Sequence, residues 1–177
     1  MKYQDRAEAL TTVDDWSGGG SHGAMRLAAA NINPATGFAS DYLNHFNEAI
    51  MLLDMLSACP DCIGDFLNWR PKSYREHFAA SRFKDRQMAI AAYDAADPVA
   101  RHCLDTLTDT MTALLEAART AMDGGLPSNA AIPLAERTAA SLKPLIARAG
   151  AVINGDTDAN IAEPNAPQAA IDDLFKR

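Results

Sequence analysis

Residues 97–125, DPVARHCLDTLTDTMTALLEAARTAMDGG, decide the fold class. Val99, Cys103, Thr106, Leu107, Thr110, Met111, Leu114, Ala118 and Ala121 recur at the spacing of one helical face, with polar residues between them. Asp97-Pro98 supplies a cap and a first-turn proline, and Gly124-Gly125 supplies the stop. A helix with one apolar face must bury it against other elements, so the neighbouring segments should be helices able to cover it.

Working outward, the composition agrees. Hydrophobic residues make up 48% of the chain but aromatic ones only 7%, and Ala dominates, which suits packed helices better than strands built on β-branched and aromatic side chains. Upstream, residues 41–57 follow the N-cap candidate Ser40, with Tyr42, Phe46, Ala49, Ile50 and Leu53 on one stripe. Met51, Leu52 and Met55 make the opposite side apolar too, so this helix is expected at the bundle centre. Cys59-Pro60 breaks it and opens a short helix to about Trp69, which Arg70-Pro71-Lys72 ends. Ser73-Tyr74-Arg75-Glu76 has the capping-box pattern and starts a helix running to about Tyr93, with a break near Lys84-Asp85. Downstream, residues 133–153 read as a last helix that Pro144 should kink or split.

The expected architecture is all-α: a single bundle of four to five helices over residues 41–153, a flexible N-terminal arm over 1–40, and a disordered acidic tether over 154–177 ending in a short docking helix. Residues 17–23, SGGGSHG, interrupt the arm, and no strand signal precedes them as a phosphate-cradling loop would require. The tether carries one large aliphatic, Ile161, in residues 154–166, too little to offset its ordering entropy.

A formal charge of −7 argues against a nucleic-acid partner, which demands a basic face. No apolar run approaches the roughly 20 residues that span a bilayer, so no membrane role is expected. Three sparse cysteines suggest free thiols in a soluble, cytoplasmic protein. No cofactor is expected, and no common nucleophile or nucleotide motif is present.

Two constellations could carry function. The first is the chain's end: if residues from Gln168 on are helical, Ile171, Leu174 and Phe175 share a face and Asp172 and Asp173 turn away. So short a helix, below the roughly 12 to 15 residues that stand alone, should order only against a surface. The run Gln168-Ala169-Ala170-Ile171-Asp172-Asp173-Leu174-Phe175 resembles the peptides with which the flagellar motor switch protein and the chemotaxis response-regulator phosphatase hold a CheY-like receiver domain. The resemblance implies a partner-binding role for Ile171, Asp173, Leu174 and Phe175. It implies no phosphatase activity, because the acid that the phosphatase places four residues before a Gln is here Phe83 or Pro164. The chain therefore reads as a non-catalytic signalling or adaptor protein.

The alternative is a helical-bundle protein that holds a metal or cofactor at His45, Glu48 and His77. His45 and Glu48 are three apart on one helix, and His77 joins them if two helices face each other. The repeated Glu-x-x-His of carboxylate-bridged bundles is absent, so no metal is assigned. Cys59-Pro60-Asp61-Cys62 has the spacing of a dithiol motif, but no preceding strand supports it, and simple burial of the cysteines is expected.

Overall fold

In the computed structural model, which describes residues 21–156 and 167–176, a long helical hairpin forms the backbone of an all-α fold without strands among those residues. Its arms are α6 (Pro98–Asp123) and α7 (Ser128–Asn154). Before them come α1 (Ser21–Ala29), α2 (Leu43–Met55), α3 (Ile63–Asn68), α4 (Tyr74–Ala80) and α5 (Arg86–Ala95), and after them α8 (Pro167–Phe175). Helix α2 lies along α7, α3 bridges α2 and α6, α4 pairs with α5, and α8 crosses α6 and α7.

The bundle expected to hold four to five helices over residues 41–153 holds six, α2 to α7, and α1 in the expected arm and α8 at the expected docking helix make eight among the described residues. One boundary is local chemistry. Ser81 ends α4 by donating its hydroxyl to the Phe78 carbonyl at 2.9 Å and accepting from Phe83 N at 3.2 Å, and the break expected near Lys84-Asp85 spans residues 81–85, between α4 and α5. The helix starts fare differently. Asp97 accepts from Val99 N and Ala100 N at 3.0 and 2.9 Å, and the Ser73–Glu76 capping box has both its bonds. Ser40 does not cap α2; it opens a 3-10 turn, Ser40–Tyr42, and no side chain caps the helix that follows.

Pro144 does not split α7, and the helix begins at Ser128, ahead of Pro133. The carbonyls these prolines deprive of a partner belong to Ala140 and Asn129, both on exposed positions where water can satisfy them. Nor is α2 apolar on all sides in its packing: Phe46, Ala49, Ile50 and Leu53 are buried, whereas Met51 and Met55 face solvent.

The largest departure is at the arm. Residues 1–20, including the helical stretch near residues 5–13 and the first part of the glycine-rich run, lie outside the described residues. Residues 21–40, however, belong to the packed body: Leu27, Ile32, Phe38 and Ala39 are core residues. Asn33 Nδ2 and Thr36 Oγ1 both donate to the Ile153 carbonyl, at 3.0 and 2.7 Å, tying this segment to the end of α7. Ala39 N donates to the Tyr74 hydroxyl at 2.8 Å. Gly37 makes the turn at φ 76°, and a Cβ there would stand 2.8 Å from the Ala92 carbonyl oxygen. Gly37→Ala is therefore expected to destabilise the fold by about 1 to 3 kcal/mol, combining backbone strain with the clash. Urea unfolding of the variant beside the parent measures it.

Candidate functional site

Two places gather the residues singled out above. At the first, the 3-10 turn brings Tyr42 and α2 brings His45 to a corner that Trp69, at the end of α3, and His77, on α4, complete. His45 is buried at 5% exposure, with its ring stacked on Trp69 at 4.7 Å and an interplanar angle of 22°. Trp69 also donates its indole N–H to the His45 carbonyl at 3.3 Å. The His77 ring lies 6.0 Å from that of His45 and 5.6 Å from that of Tyr42, whose hydroxyl donates to the Lys72 carbonyl at 3.0 Å.

The two histidines do come together, but Glu48 stays on the exposed side of α2. Among the described residues no group of three or more His, Cys, Asp or Glu side chains is arranged to hold a metal ion. His45 Nε2 is buried without a hydrogen-bond partner. Burial pushes this imidazole down to about 4, with Lys72 and then His77 acting in the same direction and a hydrogen bond to the Arg70 backbone opposing them. His77 is lowered too, by burial and Lys72, against the pull of Asp41. A ring pair held neutral in this way is a packed polar corner, since two cations 6.0 Å apart would repel.

The sign of the resulting pH dependence follows. His45 protonates in the unfolded chain near 6.5 but in the folded one only near 4, so its share of stability is complete above 6.5 and is lost as pH falls toward 4. On the order of 2 kcal/mol should disappear across that window beyond what the carboxylates lose. Denaturant unfolding at several pH values should show a shallower loss in His45→Phe, which keeps a ring against Trp69. Parallel curves for parent and variant would remove His45 from this role.

At the second place the chain's end forms α8, as expected from Gln168 on, but the surface that orders it is the chain's own. Leu174 is buried at 2% exposure, Ile171 and Ala170 pack against the core, and Arg137 Nε on α7 donates to the Leu174 carbonyl at 3.3 Å. Phe175 keeps 45% of its surface exposed. Asp172 and Asp173 face solvent, Asp172 accepting from Gln168 Nε2 at 2.9 Å and Asp173 paired with Lys176. The tether residues 157–166 lie outside the described residues.

No family model, curated protein or solved structure matches the chain. The site residues therefore rest on their own geometry. Of the four tail residues, Ile171 and Leu174 are engaged in cis, and Asp173 and Phe175 remain accessible. Sequence spacing missed Trp69 and Arg137. Each acts on a residue far away in the chain, which no helical periodicity records.

Cys59 and Cys62 correct a third expectation, that of free thiols. They form a disulfide, and Cys103 is the free cysteine. Pro60 opens a 3-10 turn, Pro60–Cys62, that brings the two Cα atoms to 5.5 Å, within reach of a disulfide.

Proposed function

We propose that the chain is a non-catalytic signalling or adaptor protein whose C-terminal helix recruits a protein partner, with a CheY-like receiver domain as the partner its residues fit. The observation that carries this reading is the state of α8. It is a short amphipathic helix seated by Leu174, Ile171 and one backbone contact from Arg137, with Phe175 and two carboxylates left on the open side. In a complex with a partner the same face of α8 would have to leave α6 and α7. Recruitment then requires release, and the intact chain binds more weakly than its free tail by the fraction of molecules released.

Titration of receiver domains with the full chain tests this. Phe175→Ala should abolish binding, because it removes exposed apolar surface without unseating α8. Arg137→Ala should do the opposite: it loosens the seat, leaves the motif unchanged and raises affinity. If no receiver binds and deleting residues 165–177 leaves every captured partner unchanged, the tail is a terminal helix packed on the body and the reading fails.

The second reading, a metal or cofactor at His45 and His77, draws on the unpartnered Nε2 of His45. Metal analysis separates the two. The adaptor reading expects less than stoichiometric metal in purified protein; stoichiometric iron, manganese or zinc that vanishes in His45→Ala would favour the second.

No helix among the described residues is long and apolar enough to cross a membrane.

A further inference from the structure

The turn closed by the Cys59–Cys62 disulfide contributes Pro60 to the wall of a cavity of about 230 Å³ where α3, α6, α7 and the end of α2 meet. Leu56 and Met122, both buried, close its inner side, while Pro60, Leu126 and Ser128 line it toward solvent. Pro60 lies between the two cysteines and is itself a wall of the cavity, so an occupant of the cavity touches the turn that carries the pair. Both cysteines are half-buried rather than sealed. A bridge across so short a loop also restrains the unfolded chain least, which leaves little of a purely structural role for it.

We propose that, apart from recruitment through α8, which is itself non-catalytic, Cys59 and Cys62 are a redox-active pair that exchanges its disulfide with the thiols of a protein substrate, the cavity taking an apolar side chain next to the substrate's cysteine. A substrate thiolate attacks one sulfur of the pair; the Cys59–Cys62 bond breaks, a mixed disulfide forms, and the departing cysteine leaves as a thiolate that takes a proton from water. A second substrate thiol, after losing its proton, attacks the substrate sulfur of the mixed disulfide and releases the other cysteine. Two substrate thiols are oxidised to a disulfide by two electrons, and the pair is reduced to a dithiol. A small disulfide of the glutathione type resets it, becoming two thiols. The opposite direction runs when the potentials are reversed.

The full-length protein is equilibrated with graded ratios of reduced to oxidised glutathione, trapped with iodoacetamide and weighed by mass spectrometry. The expected result is a pair that passes from disulfide to dithiol within that series while Cys103 stays a thiol. Oxidised protein is then mixed with two cysteine peptides, one with Leu and Phe beside its cysteine and one with Ser. The apolar peptide should react about fivefold faster, the effect of roughly one buried methylene or a little more. Ser128→Trp, which fills the cavity from its rim, should erase that preference and leave glutathione exchange unchanged; Leu126→Asn, which makes the rim polar, serves as a second variant if the first does not fold. A pair that never changes state across the series overturns the proposal. Equal rates for the two peptides, or a preference that survives both variants, overturn the role of the cavity.

Discussion

Leu53→Asp is expected to abolish the cooperative thermal transition of this protein. Leu53 is 1% exposed on α2, the helix that lies along α7. The substitution removes about 1.5 to 3 kcal/mol of apolar burial and adds several more for a carboxyl group sealed away without a partner. Their sum reaches the whole stability of a typical domain, about 5 to 15 kcal/mol. Met51→Asp is the control, because Met51 on the opposite face is 56% exposed, and a surface change of this kind should stay within about 0.5 kcal/mol. Circular dichroism melting of the two variants beside the parent gives the answer. A Leu53→Asp protein that melts with the parent would mean that α2 does not hold the bundle together.

Phe38→Ala should lower stability by about 3 to 5 kcal/mol, the range for deleting a fully buried aromatic ring. Phe38 is 0% exposed, with its ring 6.4 Å from that of Tyr74 and 6.0 Å from that of Tyr93. Those two tyrosines stack on each other at 4.4 Å, and Tyr93 donates to Asp105 at 2.6 Å. A cavity at Phe38 would therefore loosen the contact of α4 and α5 with α6 as well as its own site. For a chain of this size the melting temperature should fall by roughly 6 to 20 °C. A flexible arm makes the opposite demand. If residues 21–40 were loose, the variant would melt with the parent.

The contrast between these two residues shows where the sequence was legible. Leu53 sits in an uninterrupted periodic segment, and Asp97-Pro98, Ser73 with Glu76, and Gly124-Gly125 mark their helix ends by chemistry within a few residues. Phe38 has no such periodic context. It follows Asn33-Pro34 and Gly37, residues that mark a turn, and what makes this turn a core element is its long-range bonding to Ile153 and Tyr74. The same physics hid the helix continuity at Pro144, because Ala140, whose carbonyl the proline leaves without a helical donor, is exposed, and sequence does not record exposure.

At the candidate sites the division is similar. Spacing put His45 and Glu48 on one helix but could not tell that their side chains diverge, nor that Trp69 would stack on the histidine from another element. In α8 the period joined Ile171, Leu174 and Phe175 on one face, and of these Ile171 and Leu174 pack inward while Phe175 stays 45% exposed. The surface it meets first, beside Arg137 on α7, is a property of the folded chain alone. The disulfide depended on the turn that Pro60 sets, and composition had pointed the other way.

The most direct test of recruitment by the C-terminal helix is titration of a CheY-like receiver domain, with and without a phosphoryl mimic, by a synthetic peptide of residues 165–177. The expected result is binding in the high-micromolar range, about −4 to −5.5 kcal/mol, with the intact chain binding more weakly than the peptide because Leu174 is engaged on the body. A peptide that binds none of the receiver domains, in either state, would contradict it.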